Sequence, residues 1–296
     1  MRKLSVLIIT IGFIFTFNSC EEKIELDIPN QTSRIVVQGI LSPGENTTID
    51  VRRSYTIKDR MNDDHMTNQQ IINPYISLYK VSQLIGNFIV DPLNDLNYNL
   101  NYSDFKAGEK YTLIGNATGY PSIKAEAVIP DKPEVTITNF AFSGPEYDLK
   151  FSMNVNIKDS PNQENYYSIS ISANQYPIYL GNDSEEDNSD PSVTVVNGIY
   201  LINDKLFNGT SKTIVVNSNS YIYFGIKSKQ IDSLRVDCKA ITKDYYDYMI
   251  TTGKQNYNDF DFFAEPVLIK HNITGGFGVL GASNKVRIAL ALKQKK

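Results

Sequence analysis

A chain of 296 residues is long for one hydrophobic core, and two domains of ordinary size fit it better. Its 29 Lys and Arg fall short of its 33 Asp and Glu, a formal charge of −4, so no basic surface for nucleic acid is implied. Two cysteines, two histidines and no Trp leave little for disulfide, metal or nucleophile chemistry, whereas 19 Tyr and 14 Phe suit strands and wet binding surfaces alike.

The first element is an export signal. Arg2 and Lys3 precede an apolar run from Leu4 to Phe17 broken only by Ser5, Thr10 and Gly12. Spanning a bilayer takes roughly 20 apolar residues, so this run is too short to remain as a membrane helix. The segment Phe17-Asn18-Ser19-Cys20 resembles a lipobox, in which small residues precede a Cys that is alkylated with diacylglycerol before cleavage. The expectation is that residues 1–19 are removed and Cys20 becomes a lipidated first residue. Each buried CH₂ of an acyl chain contributes about 0.8 kcal/mol, so the mature protein sits on a membrane without crossing it. Loss of Arg2 and Lys3 takes the formal charge from −4 to −6. Residues 20–33 then form an acidic tether beginning Glu21-Glu22-Lys23. Acids directly behind the lipidated Cys resemble the surface-export signals of Bacteroidota lipoproteins, and they equally suit a plain solvated spacer.

Alternating apolar and polar residues follow along the rest of the chain. Residues 34–130 offer about seven short strands, among them Arg34–Leu41, Thr47–Tyr55, Tyr75–Val81 and Lys110–Asn116, on the scale of an immunoglobulin-like sandwich. His65, beside Asn62-Asp63-Asp64, lies in a polar loop between them and reads as solvated. Pro130-Asp131-Lys132-Pro133 removes two backbone donors and marks the domain boundary. Residues 134–296 form a second domain, with strands over Phe151–Ile157, Tyr167–Ala173, Tyr221–Ile226, Leu234–Ala240 and Val286–Leu292. The acidic loop Asp183–Asp190 lacks the glycine and the last glutamate of an EF-hand and reads as a hairpin turn. Cys238 shares a strand face with Leu234 and Val236, opposite Arg235, Asp237 and Lys239, which makes it a buried core thiol. With Cys20 committed to lipid, it has no partner for an intramolecular disulfide. One helix is expected near 243–252, with Thr242 as N-cap and Gly253 just past its end. The fold class is therefore mainly β, an N-terminal immunoglobulin-like sandwich followed by a second antiparallel sandwich or barrel domain with one inserted helix.

Few residues in this pattern promise catalysis. Gly276-Phe277-Gly278-Val279-Leu280-Gly281 matches G-x-G-x-x-G, yet a dinucleotide site needs that motif to open a helix, and here it precedes the alternation of Val286, Ile288 and Leu290. The glycines read as bends or close backbone packing. A Ser-His-Asp triad would have to use His65 or His271, and no G-x-S-x-G elbow exists. Paired-carboxylate hydrolysis is the remaining option, with Asp259, Asp261 and Glu265 among Phe260, Phe262 and Phe263 as the candidates.

Phe262-Phe263-Ala264-Glu265-Pro266-Val267 followed by Asn272-Ile273-Thr274-Gly275-Gly276-Phe277-Gly278 resembles the closing motif of a Bacteroidota lipoprotein family, domain of unknown function 4249. Ile35-Val36-Val37-Gln38-Gly39, Asn165-Tyr166-Tyr167, Asp204 to Gly209 and Asp244-Tyr245-Tyr246-Asp247-Tyr248 resemble its other segments in order, so the likeness covers nearly the whole mature chain. His271 departs from the small or polar residue expected there. The family has no assigned catalytic residues, and its members are typically encoded beside TonB-dependent receptors. The resemblance implies a surface-exposed outer-membrane lipoprotein that is a binding or accessory partner of a TonB-dependent nutrient transporter; the residues themselves offer no catalytic constellation, so no enzymatic activity, no cofactor and no metal are expected. Glu265, Pro266, Asn272, Gly275, Gly276 and Gly278 are its motif residues, structural or partner-binding. A hydrolase of surface polymers and a structural or adhesive sandwich protein are the alternatives.

Overall fold

The computed structural model describes residues 32–56, 69–143, 150–161, 163–173, 176–178, 180, 190–218, 233–258 and 264–291. The signal segment 1–19, Cys20, the tether up to residue 31, the His65 loop, acidic-loop residues 183–189, the strand expected over 221–226 and residues 259–263 lie outside them. The protein is mainly β, with several sheets, one helix and no closed barrel among the described residues.

The first sandwich pairs two sheets. One contains β1 (Ile35–Leu41), β2 (Thr47–Arg53), β5 (Ile89–Asp91) and β6 (Asn94–Leu100); the other is ordered β4-β3-β7-β8, from β3 (Tyr75–Lys80), β4 (Gln83–Asn87), β7 (Lys110–Asn116) and β8 (Ile123–Val128). Alternation drives this arrangement: in β8 the isoleucine and two alanines are buried while Lys124, Glu126 and Val128 face out. Between the sheets lie Ile35, Val37, Ile49, Leu78, Tyr111 and Leu113, each contributing roughly 1.5–3 kcal/mol by leaving water.

The second half packs a three-stranded sheet against a continuation of the first. The small sheet is ordered β15-β10-β9, from β9 (Glu134–Ser143), β10 (Lys150–Lys158) and β15 (Ser211–Asn217). Facing it are β11 (Tyr166–Ala173), β12 (Tyr176–Ile178), β13 (Val193–Val196), β14 (Ile199–Asn203), β16 (Ser233–Ile241) and β17 (Phe277–Ala291). The helix α1 (Lys243–Asn258) covers the opposite face of these strands: Tyr167 and Ile169 enter the core against β10, while Tyr166 and Ile241 meet Tyr246 under the helix.

β17 joins the halves into one ten-stranded sheet. Its first part runs parallel to β1, from Val36↔Phe277 to Leu41↔Ala282, and the rest runs antiparallel to β16, from Ile241↔Ser283 to Ser233↔Ala291. Fifteen residues at about 3.3 Å each are long enough to serve two domains. Across the boundary drawn at Pro130–Pro133, Ile273, Leu280 and Ala282 from the later half fill the first core. The parallel pairing also departs from the all-antiparallel expectation; no hairpin links strands so far apart in sequence, so no turn dictates their direction. The helix is longer than the expected 243–252. Gly253 lies inside it, where a Cβ would come within 2.7 Å of a Val196 methyl, so the glycine permits close packing on β13 instead of ending the helix.

Candidate functional site

The closing motif forms a crossing where the start of β17 meets β1 on one side and the start of α1 on the other. Thr242 N–H donates to the Ala282 carbonyl at 3.0 Å. Its hydroxyl accepts from Ala282 N–H at 3.2 Å, so the N-cap side chain ties α1 to β17. Asn272 Oδ1 accepts from Leu280 N–H at 2.9 Å, and its Nδ2 donates both to Leu280 O at 2.9 Å and to Asp244 Oδ2 at 3.1 Å. The side-chain amide thus stands in for the peptide of a missing strand. Gly278, at φ +96°, lets β17 approach β1 so closely that a Cβ would sit 2.0 Å from Val37 O. Gly275 and Gly276 approach the carbonyls of Ser122 and Ile35 in the same way, and Tyr245 of α1 lies against Gly281. Two family-like segments, the helix start and the closing glycines, therefore meet in one structural joint. Glu265 and Pro266 stand exposed on the segment between α1 and Asn272, outside that joint.

A second polar cluster is buried under the turn Asp204–Gly209. Asp159, Tyr167 and Asp204 carry the inward parity of β10, β11 and β14 past their last apolar residues. Asp159 Oδ1 accepts from Tyr167 OH at 2.5 Å and Oδ2 from Gly209 N–H at 2.7 Å. Asp204 Oδ2 accepts from Asn165 N–H at 2.6 Å, while its Oδ1 is buried without a hydrogen-bond partner. Burial, with the charge of Asp159 adding to it, raises the Asp204 carboxyl above the ordinary range. Burial and the Asp159 carboxylate push the Tyr167 phenol upward as well. Two nearby carboxylates suggest hydrolysis, but both are closed to solvent, at 4% and 1% exposure, and three of their four oxygens already hold the fold. Sequence reading passed over Asp159; the signal was a carboxylate continuing the inward alternation of Phe151, Met153, Val155 and Ile157.

The other candidates are dispersed. Asp259 and Asp261 lie outside the described residues, and exposed Glu265 is their described neighbour. His271 is exposed, its ring perpendicular to that of Phe277 with centroids 5.5 Å apart. Asp190, the described end of the acidic loop, bonds Ser192 and Lys212. Cys238 is buried, and loss of water pushes its thiol up to about 12, which keeps it protonated and inert near neutral pH. No group of three His, Cys, Asp or Glu among the described residues could hold a metal, and no described helix is long and apolar enough to cross a membrane.

The sequence profile of a family described as "Domain of unknown function (DUF4249)" matches residues 21–289. Comparison with curated proteins finds no match. Among solved structures, a chain of a "Cytokine receptor complex" is similar at 8% identity and a TM-score of 0.25, covering 86% of this chain and 95% of that one. A DUF3823 family protein from Parabacteroides merdae ATCC 43184 is similar at 10% identity and a TM-score of 0.19, over 71% of this chain and 92% of that one.

Proposed function

Starting from a chain that belongs to the DUF4249 family, we propose that it is a lipid-anchored outer-membrane protein, facing the cell exterior, that assists a TonB-dependent transporter in capturing a nutrient. The observation that carries this reading is where the family-like residues go. Asn272 and the closing glycines are consumed by the β1–β17 joint, and Asp204 by a buried cluster beneath a turn, so these motif residues build a scaffold and leave its outer surface to act. The lipobox-like segment before Cys20 supports the anchor, and the transporters beside which such chains are typically encoded support the partner. A tether confines both proteins to one plane, where a weak contact gains from high effective concentration.

Labelling with a fatty acid analogue should mark the wild-type chain and leave Cys20→Ala unmarked. Cross-linking in intact cells should capture an outer-membrane barrel, and deletion should slow uptake of one nutrient more than general growth. Equal labelling of both chains would remove the anchor from this reading. Purified protein that cleaves a polysaccharide or peptide, with no barrel captured, would replace it with the hydrolase alternative.

A further inference from the structure

The chain enters the fold at Arg34, and the end of the first sandwich around that point differs in chemistry from the other end. Arg34 packs its guanidinium over the exposed Phe277 ring at 5.4 Å. On the neighbouring strand Arg53, paired with Ile35, lies over the Tyr55 ring at 5.0 Å. Strand directions bring three further groups to this end. β3 begins here with Tyr75 opposite Asn116, Ile72 lies just before it, and β6 runs antiparallel to β2, so the β5–β6 turn carrying Leu93 projects the same way. Ile72, Tyr75 and Leu93 are 80%, 54% and 93% exposed.

Cations gather in the segments around Arg34. Segments 32–36, 51–56, 69–75, 115–124 and 270–278 contain Arg34, Arg52, Arg53, Lys124, Lys270 and His271 and not one Asp or Glu, in a chain with more acids than bases. Among the described residues, acids enter this end with the β5–β6 turn, as Asp91 and Asp95, and as partners of two of these cations, Asp50 with Arg52 and Glu126 with Lys124. At the far end each lysine has its acid, as in Glu109 with Lys80 and Asp104 with Lys106, whereas Arg34 at the near end lies over an aromatic ring.

We infer that this end is a membrane-docking face, on which Ile72, Tyr75 and Leu93 enter the headgroup layer while Arg34 and Arg53 meet lipid phosphates. The inference rests on the lipoprotein reading above. It follows from the anchor's position: Cys20 precedes Arg34 by about 14 residues, at most roughly 50 Å of extended chain. The end nearest the anchor is thereby held within reach of the bilayer. Exposed apolar and aromatic side chains rimmed by arginine are the combination that partitions into that interface. A single exposed Leu or Ile is ordinary on a protein surface; three at one end, sharing it with cation-covered rings, are not scattered.

The absence of Trp allows a direct test in the full lipidated chain. Ile72→Trp, Leu93→Trp and, as a far-end control, Ala107→Trp would each place one indole without background. In vesicles of phosphatidylethanolamine and phosphatidylglycerol containing brominated lipid, the expected result is several-fold stronger quenching at positions 72 and 93 than at 107. Arg34→Glu with Arg53→Glu, or about 1 M salt, should weaken that difference because the headgroup contact is screened. Fatty acid labelling of the same preparation separates the two readings. An unlabelled chain refutes the lipoprotein reading and this inference together. A labelled chain quenched equally at all three positions overturns the docking face alone. So does one in which positions 72 and 93 escape lipid quenching and cross-link instead to a barrel protein, which would assign the face to the transporter.

Discussion

The β1–β17 joint and the Asp159–Asp204 cluster both hold polar groups away from water, and they cover them by opposite means. At the joint the buried backbone is met by neutral groups: a side-chain amide, which also donates to the exposed Asp244 carboxylate, replaces a peptide, and missing side chains let carbonyls approach. At the turn two carboxylates anchor backbone N–H groups, and one oxygen is left without a partner. The difference teaches where each is vulnerable. A neutral joint fails by sterics and is indifferent to pH, whereas a buried acid resists small changes of shape and responds to protons.

The largest effect is expected at the joint. Gly278→Ala puts a methyl into Val37 O at a positive φ, and a loss of about 4 kcal/mol or more, or failure to fold, should appear in denaturant unfolding. A loss under about 1 kcal/mol would show that the β1–β17 approach is looser than described.

Asn272→Ala removes a donor and an acceptor at once and strands both Leu280 groups, so about 2–3 kcal/mol should be lost, equally at pH 5 and pH 8. Strong pH dependence of that loss would contradict a neutral joint.

At the turn, Asp159→Asn keeps the shape but turns one accepting oxygen into a donor facing Tyr167 or Gly209. About 1–3 kcal/mol of destabilisation is expected by thermal or chemical melting.

The smallest mean effect belongs to Asp204→Asn, whose signature is its pH dependence. The folded-state carboxyl is raised, so its contribution is fully present below the ordinary value near 3.9 and is lost as pH rises through the folded value. Stability of the wild type relative to the Asn variant should fall as pH rises from about 4 toward neutrality. Parallel stability curves would falsify the assignment.

Much of this was legible because alternation reports which face of a strand is apolar. Leu234, Val236, Cys238 and Ala240 are buried on β16 as their spacing implies, Lys110–Asn116 is β7 residue for residue, and α1 begins at Lys243 behind Thr242. The closing glycines read as close packing, and close packing is what they do. Alternation also extended to Asp159, but a carboxylate on an inward position looks in sequence like the start of a loop, since only its neighbours can supply the donors that make burial tolerable.

By itself, then, the sequence determined strand content, inward faces, the helix start and the expectation of an anchor at Cys20, all of which depend on neighbours a few residues apart. Tertiary structure alone decided which strands meet. Parity gives a face and no partner, so nothing local could foretell that Phe277 pairs with Val36 some 240 residues away, or that one strand completes both halves of the sheet. It likewise decided that Gly253 continues a helix, because Val196 leaves no room for a Cβ, and that the groups around Arg34 gather at one end, because antiparallel strands return their turns to the same place.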